Sequence, residues 1–311
     1  MGMKYQLAQH SLRGTRKTNE DRVAAVEREN SVLMMLADGL GGHQGGALAA
    51  EILIKVATYA FQAIKQPIIL KPSAFLALTM MQAHKMMRAR GEAHNPPISP
   101  RTTCVLCLVQ NGYAYWAHVG DSRLYHFRDK GVIKRTLDHT DIEQLHVDGL
   151  LSEEEMLTHP DKSRLLKCLG GTHTPSISLG AETRLHRGDT LLLCSDGLWE
   201  AFNPEETVHY LQYKLLEEGV EEMLHDGEEK MQKTCDNLSA VCLRWEQGVT
   251  DSPPLQVYSL TKVDQQMLWD EANRKIMQRK IKGAVKESED KSIKTAIKEI
   301  ESIIKQFEPK S

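Results

Sequence analysis

Three apolar runs each deliver an aspartate: Leu33-Met34-Met35-Leu36-Ala37 runs into Asp38-Gly39, Trp116-Ala117-His118-Val119 into Gly120-Asp121, and Leu191-Leu192-Leu193-Cys194 into Ser195-Asp196-Gly197. An unbroken apolar run of this length reads as a buried strand, and an aspartate just past its end sits where backbone regularity stops and a site can open. A fourth carboxylate, Asp236, precedes the run Ala240-Val241-Cys242-Leu243-Arg244-Trp245, and Glu20 and Asp21 follow Arg16. A single Asp-Gly or Gly-Asp-Ser is a common turn or cap. Several aspartates brought to one shared edge make a cation site, and oxygen-only ligands favour magnesium or manganese over zinc.

Composition narrows the class. A chain of 311 residues, 41% of them apolar, can bury one large core or two modest ones. Its 39 basic and 42 acidic side chains are scattered and leave a net charge of -3, which is not the electrostatic footprint of a nucleic-acid binder. The sequence shows no basic-then-apolar leader and no apolar stretch long enough to span a bilayer, so no membrane partner and a cytoplasmic location are expected. Of six cysteines, Cys104, Cys107, Cys194 and Cys242 lie in strand-like runs and are expected to be reduced and buried. Cys104 and Cys107 have Cys-x-x-Cys spacing, but on a strand that spacing sends the two side chains to opposite faces, which argues against a metal or redox pair.

From Tyr5 to Trp245 strand-like runs alternate with helical stretches, notably residues 47–63 and 73–90. The run 102–109, the turn Asn111-Gly112 and the run 113–119 form a hairpin pattern, which favours an α+β sandwich over a parallel doubly wound sheet. Between His139 and His159 the chain becomes charged and helix-prone, with Ser152-Glu153-Glu154-Glu155 reading as a capped helix start.

Taken in order, Gly14-Thr15-Arg16-Lys17-Thr18-Asn19-Glu20-Asp21, Ala37-Asp38-Gly39-Leu40-Gly41-Gly42-His43, Thr102-Thr103, Val119-Gly120-Asp121-Ser122-Arg123, Asp138-His139, Ser195-Asp196-Gly197-Leu198-Trp199 and Asp236-Asn237 resemble the metal-dependent protein serine/threonine phosphatases of type 2C in their bacterial form. The resemblance implies an antiparallel β-sandwich flanked by helices, in four α-β-β-α layers, with a catalytic domain over 1–246 and a flap at about 139–166. It implies two or three manganese or magnesium ions. The aspartate matching Asp38 bridges two of them, the carbonyl matching Gly39 ligates one, and Asp196 and Asp236 match ligands of the other. The bridging water becomes the attacking hydroxide. Asp121, with Asp196, matches the position of a third ion. Glu20 and Asp21, placed on the opening strand, are expected to hold waters on the ions. Arg16 is expected to take the substrate phosphate, because a guanidinium offers parallel donors to two phosphate oxygens.

Two positions depart from the pattern. Leu40 stands where animal members carry a histidine proposed to protonate the leaving oxygen, so the general acid has no assigned side chain, with His43 a further position to consider. Arg101 stands where glycine is usual, which bears on local backbone geometry. After a turn-rich linker over 247–260, residues 261–311 form a Lys- and Glu-rich segment outside the resemblance, expected to be a C-terminal helical extension. Ile293, Ile297, Ile300, Ile304 and Phe307 recur at steps of four and three, the seam of an amphipathic helix that packs on the domain, pairs with a second copy or docks a partner. The leading expectation is a phosphatase acting on phosphorylated proteins opposite a cognate Ser/Thr kinase. The alternatives are a pseudophosphatase docking through its tail, which loss of Asp38, Asp196 or Asp236 would have favoured, and a different metal hydrolase, for which His10, His118 and His139 lack ligand spacing.

Overall fold

The structure is a computed structural model that describes residues 2–41, 44–152, 155–156, 159–161 and 164–250. The tail seam, most of the linker and His43 lie outside the described residues. Thirteen strands are found among those described, and every pairing is antiparallel. One sheet joins β2 (Arg22–Arg28), β3 (Ser31–Ala37), β6 (Cys104–Gln110), β7 (Tyr113–Val119) and β10 (Ser178–Leu179), with β11 (Thr183–Arg184) also on β7. The other runs β1 (Tyr5–Leu12), β13 (Leu238–Trp245), β12 (Thr190–Cys194), β8 (Arg123–Arg128) and β9 (Gly131–Arg135). A two-stranded ribbon pairs β4 (Gly39–Leu40) with β5 (Arg101–Thr102).

Period-two alternation explains why the strand runs are apolar throughout. Val32, Met34 and Leu36 of β3 face the other sheet and meet Leu191, Leu193, Val241 and Leu243. Leu33 and Met35, one residue out of phase, face α1 (Gln44–Ala63) and α2 (Pro72–Ala93), where they join Leu53, Phe61 and Phe75. On the far side, Leu192 and Cys242 pack under α5 (Pro204–Leu211) and α6 (Leu216–Met231) with Val220, Met223 and Leu224. Helix, sheet, sheet and helix therefore stack in four layers, because the central strands β3, β6, β7 and β12 are buried on both faces and need cover on each. Cys104 and Cys107 fall into different cores, one on the helix side and one between the sheets, as their spacing requires. All six cysteines are free.

The β6–β7 hairpin turns at Asn111 and Gly112, with φ of 52° and 76°. That pair of positive φ values is the turn whose twist matches two antiparallel strands. Arg101 causes no backbone strain: it sits exposed in the short strand paired with Leu40, a conformation any residue adopts. Trp116 and Trp245 are packing residues between the sheets, and His118 is buried with Nε2 bonded to the Leu137 carbonyl at 2.8 Å. Ser152 and Glu155 make the reciprocal bonds of a capping box at 3.2 and 2.8 Å. No helix among the described residues is long and apolar enough to cross a membrane.

Candidate metal centre and active site

One end of the sandwich gathers the strand-end carboxylates. Asp38 leaves β3 and is pinned by the Thr102-Thr103 pair: its carbonyl accepts from Thr103 N and Thr102 Oγ1, both at 2.8 Å, and its N–H donates to Thr103 Oγ1 at 3.2 Å. Thr103 Oγ1 lies 2.6 Å from Ser122 Oγ, which ties this corner to the crossing from β7 into β8. Asp121 sits on that crossing. It follows Gly120, whose φ of +108° and close approach to the Thr103 side chain leave no room for a Cβ. Gly39 is as tightly placed, since a Cβ there would lie 2.7 Å from the Glu20 carbonyl oxygen.

Asp196 opens the short helix α4 (Asp196–Trp199) after β12, and its Oδ1 accepts from Gly197 N at 2.7 Å. Asp236 precedes β13, with Oδ1 held by Asn237 N at 2.7 Å and Oδ2 ion-paired to Arg16 Nη2. Arg16, Glu20, Asp38, Gly39, Leu40, Asp121, Asp196 and Asp236 line a single cleft of about 590 Å³. Glu20 and Asp21 lie in the loop between β1 and β2, not on the opening strand, and the structure separates them. Glu20 lines the cleft, whereas Asp21 is buried behind it among Ser195, Ser239 and the carboxylates.

Burial and mutual repulsion set the electrostatics. Asp38 is pushed well above the usual carboxylate range by desolvation and then by Asp196, Asp21, Asp121 and Asp236. Asp121 is raised in the same way, by burial and then Asp196 and Asp138. Asp196 is pushed to about 6 by burial and then Asp236, and Asp21 to about 7, mainly by burial. Asp21 Oδ2 is buried with no hydrogen-bond partner. An all-oxygen donor set, crowded with like charge and carrying an orphaned buried acceptor, fits hard divalent cations. The cation already at the cleft mouth, Arg16, is 60% exposed and touches Asp236 alone of the four strand-end aspartates.

A pH dependence follows for the metal-free protein. Carboxylates with raised folded-state pKa values contribute stability that is fully present below the unfolded value near 3.9 and is lost as pH rises through about 6 to 7. The thermal midpoint of chelator-treated protein should therefore fall between about pH 5 and 8. Added manganese should raise the midpoint more at the upper end of that range than at the lower. A midpoint that instead climbs with pH in the chelated protein contradicts the charge crowding.

Several residues that stood in the quoted motifs without an assigned role complete the site. Asn237 is buried and anchors the cleft loop: its Oδ1 accepts from Glu20 N at 2.9 Å, and its Nδ2 donates to the carbonyls of Arg13 at 2.7 Å and Thr18 at 3.2 Å. His139 clamps the peptide before Asp121, its Nδ1 accepting from Gly120 N at 3.1 Å while its own N–H donates to the Gly120 carbonyl at 2.9 Å. Beyond it the chain forms α3 (Asp141–Val147), and Leu165 further on lines the cleft. Arg123 makes a bidentate pair with Asp138, at 2.7 to 3.1 Å, and lies 3.6 Å over Trp199. The Trp199 indole N–H in turn donates to the Asp121 carbonyl at 3.0 Å. Trp199 is therefore a support of the site as well as a packing residue.

Crowded carboxylates that call for hard dications, with a guanidinium at the mouth, supply the charge neutralisation that phosphate ester hydrolysis demands, and on a four-layer sandwich they define a metal-dependent phosphatase. The sequence pattern described as Protein phosphatase 2C matches residues 8–234, and the chain belongs to that family. It is 28% identical over 201 residues to the serine/threonine phosphatase stp of Listeria monocytogenes, covering 64% of this chain and 79% of that one. Among solved structures, the serine/threonine phosphatase Stp1 from Staphylococcus aureus superposes with a TM-score of 0.73 at 25% identity, over 79% of this chain and 97% of the other. The catalytic domain of the serine threonine protein phosphatase PstP, solved in complex with two manganese ions, gives 0.66 at 27% identity over 78% and 99%.

Proposed function

We propose that this chain removes phosphate from phosphoserine and phosphothreonine of proteins in the cytoplasm, opposing a Ser/Thr kinase. The observation that carries this reading is the convergence of Asp38, Gly39, Asp196 and Asp236 in one cleft with Arg16 at its mouth. When bound, two or three manganese or magnesium ions supply neutralisation of phosphate charge and a nucleophile at neutral pH. Asp38, the Gly39 carbonyl, Asp196 and Asp236 would hold two of them, and Asp121 with Asp196 would hold a third, while Glu20 and Asp21 would support bound ions through water. With its carboxylate engaged as a ligand, Asp236 would no longer hold Arg16, and the guanidinium would be free to receive two phosphate oxygens.

No histidine among the described residues lines the cleft, and the nonpolar Leu40 lies beside Gly39. The reading therefore assigns no described side chain as proton donor to the leaving oxygen. We take residues 1–246 as the catalytic domain, 247–260 as a linker, and 261–311 as a helical tail that packs on the domain, pairs with a second copy or docks a partner, outside the chemistry.

The test is hydrolysis of para-nitrophenyl phosphate and of a phosphothreonine peptide by metal-stripped protein, with manganese or magnesium returned. Metal-restored release of phosphate from both is expected. Silence on both from folded protein would move the weight to the pseudophosphatase reading. Arg16→Ala should lower kcat/KM on the peptide by about 10- to 100-fold, the worth of charge-assisted hydrogen bonds to one phosphate, mostly through KM. An unchanged KM in steady-state kinetics would remove Arg16 from the phosphate.

A further inference from the structure

A second group of metal-ligating side chains lies on the outer face of the β1 sheet, and none of its members lines the cleft. His10 belongs to β1, an edge strand, between Ala8 and Leu12, which both pack into the core beneath α6. Alternation points His10 at that helix. The helix is locked alongside the strand: Leu216 N donates to Gln6 Oε1 at 2.9 Å. Four residues along a strand cover about 13 Å and nine along a helix about 13.5 Å, so strand and helix arrive together at His10 and His225. Glu221 lies four residues before His225, on the same face.

The ligand atoms of His10, Glu221 and His225 lie within 4.8 Å of one another, and the two imidazole centroids are 6.2 Å apart. None of the three side chains has a hydrogen bond or ion pair with another described residue. Across the sheet His10 faces Ala240, which leaves space beside the ring.

We propose that His10, Glu221 and His225 form a separate site for zinc or a similar late first-row dication, with water completing the coordination. Two imidazoles and one carboxylate are the donor set such ions favour, in contrast to the all-oxygen cleft. Zinc holds such ligands at about 2.0 to 2.1 Å, hence roughly 3.3 to 3.5 Å from one another in a tetrahedron. Glu221 and His225 are exposed on the helix, and rotation of their side chains closes the remaining gap. Four of the six thiols are shielded from metal: burial pushes Cys104, Cys107, Cys194 and Cys242 upward. Occupancy staples an edge strand to the helix that covers it, and that strand leads into the loop carrying Arg16.

The experiment takes full-length wild type, His10→Ala and His225→Ala, each saturated with magnesium, and titrates cobalt as a spectroscopic stand-in for zinc. Wild type is expected to take up one equivalent with the intense visible bands of four- or five-coordinate nitrogen-ligated cobalt, which an octahedral oxygen site does not give. Both variants should lose that equivalent and the zinc-induced rise in thermal midpoint, while keeping magnesium-supported hydrolysis at the wild-type level. Glu221→Gln, an exposed change that leaves the fold alone, should weaken cobalt binding by at least about tenfold. Equal stoichiometry and spectra in wild type and variants, or an absence of such bands in wild type, would overturn the site. Cobalt stoichiometry, the visible bands and the thermal midpoint do not depend on phosphatase activity, so the two proposals fail separately.

Discussion

Asp38→Asn should lower metal-dependent hydrolysis of para-nitrophenyl phosphate by more than about 100-fold, beyond the 10- to 100-fold lost with an outer partner of a metal site. The backbone of Asp38 is held by Thr102 and Thr103 independently of its carboxylate, so the loop should keep its place in the variant. The metal-free variant should also melt higher than metal-free wild type at about pH 8, because a desolvated charge facing Asp196, Asp21, Asp121 and Asp236 has been removed. Activity and stability thus move in opposite directions, the mark of a residue kept for chemistry at a cost to folding. Wild-type turnover in the variant would show that Asp38 does not hold the catalytic ions.

Asp189 is expected to have the largest effect on stability without touching the reaction. It is 1% exposed, its Oδ1 accepts from Arg128 Nε at 2.7 Å, and its Oδ2 accepts from Arg128 Nη2, His126 Nε2 and His186 N at 2.7, 2.8 and 2.9 Å. Burial would raise its pKa, yet the hydrogen bonds from Arg128, His126 and the His186 backbone hold it below the usual carboxylate range. Asp189→Asn points an amide donor at these donors and should cost about 3 to 5 kcal/mol, the scale for breaking a buried pair from one side. Because the folded pKa is depressed, the stabilisation is present above the unfolded value near 3.9 and fades as pH falls through the folded value. Urea unfolding should therefore show the gap between wild type and variant narrowing in acid. A loss under about 1 kcal/mol at neutral pH would mean that solvent replaces the network at little cost.

The comparison of sequence and structure divides by range of interaction. The strand runs, the Asn111-Gly112 hairpin and the helices after Gly41 and Pro72 were legible, because each is written in the spacing of neighbouring residues. So were Asp38, Asp121, Asp196 and Asp236 as candidate ligands, since position at the end of an apolar run is a local property. The difference between Glu20 and Asp21 was not. Adjacent in sequence, one lines the cleft and the other is buried behind it, and no periodicity operates over a loop between strands. Asn237 has no signal beyond standing next to Asp236, because its work is done on Arg13, Thr18 and Glu20, more than 200 positions away.

The chain alone set the α+β class, through hairpin-spaced apolar strand runs alternating with helical stretches, and it set the number and kind of acidic side chains available to hold cations; the four-layer order entered with the family resemblance and is seen directly only in the structure. Tertiary structure decided which carboxylates converge, that Arg16 pairs with Asp236 at the mouth, that Asp189 gathers His126 and Arg128, and that His10 comes to lie beside Glu221 and His225. The reason is physical. Local sequence encodes which faces must leave water. Sheet order and helix placement decide which distant side chains then share a small volume, where Coulomb energies and desolvation become large enough to make a site.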